Sequence, residues 1–197
     1  MATAPQTPTP AKTALMLMDY QDYILENYLS PDQAQGAVGA AGRLLAYARA
    51  QAVPIIHIMV AFEAGYPSVS PNNVMFAAIK REKMGLLGQP GTAITQALAP
   101  RPGETVVVKN RVGAFTGTNL AMILRAQNIN TLVMGGVITS GVVMSTLRQA
   151  FDLDYTPCLV GPACGDATAE TNQVLLGCVP SWLADVVDIE GGLARLA

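Results

Sequence analysis

"TLVMGGVITSGVVMSTLRQAFD", residues 131–152, decides the fold. Its first seven residues are a continuous apolar run of strand length. They read as a strand buried on both faces, the mark of a parallel sheet covered by helices. Residues 142–152 read as the helix that follows. Between them lies Thr139-Ser140-Gly141, a strand-to-helix junction of the kind that points free backbone N–H groups at whatever sits above it. Chains of this class often carry a nucleophile at such a turn. Here Val142 and Val143 follow instead, and neither has nucleophilic chemistry.

Working outward, the same alternation recurs. Apolar runs at 13–19, 53–60, 104–110, 155–161 and 184–189 read as five further strands, although Pro157 cannot donate to a ladder. Helical patterns separate them. Ser30 is placed to cap the helix that follows it, with Pro31 at the first helical position and Asp32 in the first turn. A further helix is expected after Thr116 or Thr118, another over 170–179, and short helices over 74–84 and 92–98, with a long loop at 63–73. The expected fold is therefore α/β, a three-layer Rossmann-like domain over 13–197. Its six-stranded, mainly parallel sheet is covered by helices on both faces. Residues 1–12, rich in Ala, Thr and Pro, read as a flexible arm rather than a signal peptide, because they lack a hydrophobic core region.

Composition narrows the function classes. The 197 residues suit one domain with a full core. A net charge of −2 without a basic stripe argues against nucleic acid. Apolar runs fall short of the ~18–20 residues needed to cross a bilayer. Cys158, Cys164 and Cys178 are odd in number and lack metal-type spacing, which fits a reducing, cytoplasmic setting. With 51% apolar and only 13% charged residues, part of the surface is expected to be buried in an oligomer.

In such folds ligands bind beyond the carboxyl ends of the strands. Asp19 ends the first strand, Lys109 ends the third, and the turn at Thr139 follows the fourth. A carboxylate, an ammonium and a set of backbone amides are thus expected at one edge. Asp19 and Lys109 read either as an ordinary ion pair near a loop or as acid/base and charge stabiliser. The amides at Gly141 to Val143 read as an oxyanion or carboxylate site.

At this point the chain resembles the isochorismatase-like hydrolases, also called the cysteine hydrolase family, over nearly its whole length. "LMLMDYQDYI" around Asp19, the block from "VVVKNRVGAF" through "RQAFDLDY", and "PACGDA" carry the resemblance. It implies a homodimer or homotetramer and a site built on Asp, Lys and Cys. The first two fall on Asp19 and Lys109; the third falls on Val142, where thiol members read like T-S-G-C-V. It also implies a non-proline cis peptide at Val137–Ile138, and an anion-binding turn over Ile138, Thr139, Ser140, Gly141, Val142 and Val143. Pro162 stands where an Asp is common. "HIMVAFEAGYPS" lacks the Asp and His that metal-binding members carry after the second strand, so no metal and no cofactor are expected.

Valine cannot form a thioester, so the expected activity is a thiol-free hydrolysis of a small molecule. Asp19 is the acid/base, Lys109 stabilises charge, and water attacks. The resemblance extends to family members that cleave a vinyl ether without a thiol, and so implies a vinyl ether or another non-amide bond as the favoured target. The alternatives are a catalytically silent relative that binds a small ligand or acts as an assembly partner, or a lyase or isomerase using the same pair. Tyr20, Tyr23, Phe62, Tyr66 and Phe115 are candidates for an aromatic pocket wall or for plain packing. Arg111 would bind a substrate carboxylate or pair with a neighbouring acid. His57, inside the second strand, reads as a buried structural residue. Cys164 is a small buried side chain before it is a substitute nucleophile.

Overall fold

The protein's computed structural model describes residues 12–197. The arm expected at 1–12 lies outside the described residues except for Lys12, which already begins the first strand. Six strands form one sheet: β1 (Lys12–Met18), β2 (Ile55–Val60), β3 (Thr105–Lys109), β4 (Ile129–Val137), β5 (Thr156–Gly165) and β6 (Asp185–Val187). Their order is β3-β2-β1-β4-β5-β6, and all five pairings are parallel. The helices are α1 (Asp22–Tyr28), α2 (Pro31–Ala50), α3 (Val74–Arg81), α4 (Leu120–Ala126), α5 (Met144–Asp152), α6 (Ala169–Gly177) and α7 (Ile189–Leu196).

Alternation along β1 sends Leu15 and Leu17 to one face and Ala14, Met16 and Met18 to the other. The first face packs against Ala41, Leu44, Leu45 and Ala48 of α2 and Ile189 and Leu196 of α7. The second packs against Leu120 and Leu124 of α4 and Leu147 and Ala150 of α5. That is the three-layer, Rossmann-like arrangement the continuous apolar strands require. Ser30 caps α2 as its sequence predicts, its Oγ accepting from the N–H of Gln33 at 3.4 Å.

Three elements differ from expectation. The stretch 92–98 is no helix but two short 3-10 turns, Pro90–Thr92 and Gln96–Leu98. Ile94 between them pairs with Gln21 instead. α7 forms despite Gly191 and Gly192, which cost a helix about 1 kcal/mol each. A Cβ on Gly192 would stand 2.7 Å from Val160 Cγ2, so the missing side chain lets α7 lie against β5. β5 runs on to Gly165, past Pro157 and Pro162. β6 begins opposite Cys158, so Pro157 lies outside that ladder. The β4–β5 register breaks between Met134 and Gly136, opposite an excursion of β5 that contains Pro162.

The sheet order reverses between β1 and β4. The chain leaves β1 toward β2 and β3, then returns beside β1 and builds outward through β5 and β6. The crevice at this reversal, beyond the carboxyl ends of β1 and β4, is where a ligand fits between diverging connections.

Candidate active site

Asp19 is the first residue beyond β1. Its φ of +60° is a left-handed conformation that side chains other than glycine adopt at a cost. Two backbone bonds hold it there: its N–H donates to Ile58 O at 2.9 Å, and its carbonyl accepts from the N–H of Gln21 at 2.7 Å. Lys109, the last residue of β3, starts two strands away. The intervening chain position is Ala61, whose N–H donates to Lys109 O. The lysine reaches across, and its Nζ stands 2.7 Å from Asp19 Oδ2 while donating to Arg111 O at 3.1 Å. The two side chains are only 6% and 2% exposed. Asp19 Oδ1 is buried and has no hydrogen-bond partner among the described residues. Burial pushes the carboxyl pKa above its ordinary value, and this outweighs the opposing pull of Lys109.

Gln21 locks this corner. It is fully buried; its Nε2 donates to Val60 O at 3.0 Å and Thr92 O at 2.6 Å, and its Oε1 accepts from Val60 N–H at 2.7 Å. One amide therefore ties the exit of β1 to the exit of β2 and to the loop beyond α3. Nothing in the local pattern around Gln21 announces that role, because its partners are 39 and 71 residues away.

The Val137–Ile138 peptide is cis. Thr139–Val143 then forms a single π-turn, and α5 begins at Met144 rather than at Val142. The turn's amides are largely spoken for. Ser140 N–H donates to Asp166 Oδ2 at 2.6 Å, and Gly141 and Val143 N–H both donate to Ile138 O, at 3.1 and 3.4 Å. Ser140, Gly141 and Val143 thus differ from the expected anion-binding turn: their amides bond within the protein, that of Ser140 to the carboxylate of Asp166. Thr139 is buried below, its Oγ1 bonded to Gly165 O and Asn172 Oδ1. The "GDA" triplet at 165–167 was the available signal for Asp166.

A cavity of about 280 Å³ opens over Asp19 and Lys109. Its wall is mostly apolar: Tyr23, Ile24 and Tyr28 from α1, Met75, Phe76 and Ile79 from α3, with Val60, Val112, Val137, Ile138 and Val142. Ser140 and Gly141 complete it. Val142, at the position that resemblance assigns to a thiol, faces the same cavity as Asp19 and is buried.

Of the six expected wall residues only Tyr23 is there. Tyr20 is buried, with its hydroxyl donating to Ala163 O. Phe62 packs on Tyr66 and Phe76 at centroid distances of 5.5 and 5.6 Å, and Tyr66 donates to Met84 O. Phe115 stacks on Tyr155. Arg111 turns to the loops, its guanidinium donating to Asn110 O and Ser68 O. Met75, Phe76 and Ile79 could have been found from the apolar spacing of α3; Tyr28 and Val112 carried no such signal.

His57 is far from this chemistry. It is fully buried, with Nε2 2.9 Å from Glu104 Oε2, and Glu104 is in turn held by Arg49. The Cys164 thiol is buried, bonded to Val160 O, and pushed by that burial to a pKa of about 12. It is absent from the cavity wall. Among the described residues no cluster of three or more His, Cys, Asp or Glu is placed to hold a metal ion, and no helix is long and apolar enough to cross a membrane.

Known proteins resemble this chain in sequence and in fold. The chain is 34% identical to the ureidoacrylate amidohydrolase of Agrobacterium fabrum, with 98% of this chain and 95% of that one covered. It is 28% identical to the maleamate amidohydrolase of Pseudomonas putida, with 94% and 87% covered. An isochorismatase family protein from Desulfovibrio vulgaris superposes with a TM-score of 0.82 at 28% identity, over 92% of this chain and 96% of that one. The isochorismatase domain model matches residues 13–190, the whole sheet together with the Asp19–Lys109 edge, and the chain belongs to the isochorismatase family of hydrolases.

Proposed function

We propose that the protein hydrolyses a small organic molecule by proton transfer at Asp19, with water rather than a thiol as the attacking group. One observation carries this reading. Asp19 keeps one buried carboxylate oxygen unpaired at the cavity while the other holds Lys109. An unpaired buried acceptor is costly, and a substrate or water that supplies the missing hydrogen relieves it. The raised pKa, caused by burial, suits Asp19 to hold and pass on a proton more readily than an ordinary carboxylate. Lys109 offsets negative charge developing on the substrate. Val142 supplies only an apolar wall.

The choice of bond follows the relatives more than the sequence did. The curated relatives reported above are named amidohydrolases, and the leaning toward a vinyl ether gains nothing from them. Amide-type C–N bonds are therefore the first target class and enol ethers the second. A non-catalytic ligand-binding role is the second reading; Val142 in the wall favours it.

Purified protein screened against small amides, ureido compounds and enol ethers separates the two. Turnover by the wild type, lost in Asp19→Asn, is the expected result. Wild-type silence on all three panels, with amide turnover appearing only in Val142→Cys, would establish the binding role instead.

A further inference from the structure

We infer that the Asp19 cavity selects an uncharged molecule with an apolar body and at least one N–H or O–H donor, and rejects carboxylates. The inference rests on the reading of this cavity as a substrate site and adds the class of substrate.

Lys109, Arg111 and three amides of the turn at 139–143 were candidates for holding a substrate anion, and each of these already has a partner within the protein. Among the described residues Lys109 is the only cation in the cavity wall, and Asp19 Oδ2 neutralises it at 2.7 Å. The amides of Ser140, Gly141 and Val143 have acceptors, one of them the full negative charge of Asp166 at 2.6 Å. Arg111 donates to two backbone carbonyls and is absent from the wall. On α3, Met75, Phe76 and Ile79 line the cavity, while Lys80 and Arg81 do not. A carboxylate entering here would leave water for an apolar surface without a free counter-ion, and would lie near the carboxyl of Asp19. Burying a charge without a partner is among the most costly steps available to a protein.

The attraction is equally specific. Among the described residues Asp19 Oδ1 is the one buried side-chain oxygen in the wall that lacks a partner. A donor on the ligand satisfies it. The rest of the ligand meets Tyr23, Phe76, Ile79, Val112 and Val142, which reward apolar or aromatic surface. The volume of about 280 Å³ sets the size at the small end of ligand cavities. The relatives named for maleamate and ureidoacrylate act on carboxylates, so this chain departs from them in substrate class.

Matched probes test the inference by binding alone. Benzamide is compared with 4-carbamoylbenzoate, and isovaleramide with succinamate, by titration calorimetry at neutral pH. The expected result is that each neutral member binds at least about tenfold (~1.4 kcal/mol) tighter than its carboxylated partner. Met75→Arg, a change at a half-exposed position of the wall, is expected to narrow that gap by raising affinity for the carboxylates. Arg111→Gln, its folding verified by thermal melting, leaves the preference unchanged. Equal or tighter binding of the carboxylated members overturns the inference. So does loss of carboxylate binding in Arg111→Gln, or no measurable binding of either neutral probe. Neutral probes that bind but are never hydrolysed would remove the hydrolase reading and keep this one. Asp19-dependent hydrolysis of carboxylates would do the reverse.

Discussion

At the scale of single residues, position along a strand predicted placement well. Asp19 and Lys109 were legible because each polar residue closes an apolar run, and the sheet brings such ends to one edge. What no local pattern contains is the balance at Asp19, where burial outweighs an adjacent ammonium. Removing the carboxyl shows the other side of that balance. Asp19→Ala leaves Lys109 buried without a counter-ion and is expected to cost about 3–5 kcal/mol in urea unfolding. Asp19→Asn still offers Lys109 an acceptor and should cost much less. Gly136 makes a second residue-level case. A Cβ there would stand 2.9 Å from Met18 Cβ and 3.0 Å from Met18 O. Gly136→Ala is therefore expected to destabilise by about 1–3 kcal/mol, as overpacking does, with the cis turn and β1 displaced together.

At the scale of elements, strands and long helices were readable and short irregular pieces were not. α2 announces itself through Ser30, Pro31 and a repeating apolar face. α7 hides behind two glycines that serve its contact with β5 rather than its helicity. The turn over 139–143 shows the same limit. Its amides are exposed donors in the sequence pattern, but Asp166 reaches one of them, Ser140 N–H, from just beyond β5, 26 residues on. Because that bond joins a carboxylate to a backbone N–H, Asp166→Ala is expected to lose about 2 kcal/mol of stability. Asp166→Asn, which still accepts, should lose less; chemical denaturation of the two variants decides it. An Asp166→Ala variant as stable as the wild type would mean that the turn holds itself.

At the scale of the molecule, the sheet has two chemically distinct ends. The carboxyl ends carry Asp19 and Lys109. Toward the other end, His57, Glu104 and Arg49 form a partly buried relay that joins β2, the entry to β3 and α2. Arg49 chiefly, with help from Arg101 N–H and His57, holds the Glu104 pKa near 2, below its ordinary 4.5. A depressed carboxyl pKa gives stability that is complete above the unfolded value and is lost as pH falls through the folded one. His57, lowered by burial, favours its neutral form and also loses its contribution on acidification. The stability gap between wild type and Glu104→Gln should therefore shrink as pH falls from about 5 toward 2; a gap constant with pH would contradict the relay. The parallel order was legible from continuous apolar strands, whereas the cavity wall was not, because loop paths decide which aromatics face it. Only the complete fold brings Lys109 from β3 over Ala61 to Asp19 on β1. The most direct measurement of what that meeting does is kcat/KM of wild type against Asp19→Asn on the best amide or enol ether, with matched melting curves. Proton transfer at Asp19 predicts a loss of about 10²–10⁴-fold. An Asp19→Asn enzyme within a few-fold of wild type would contradict it.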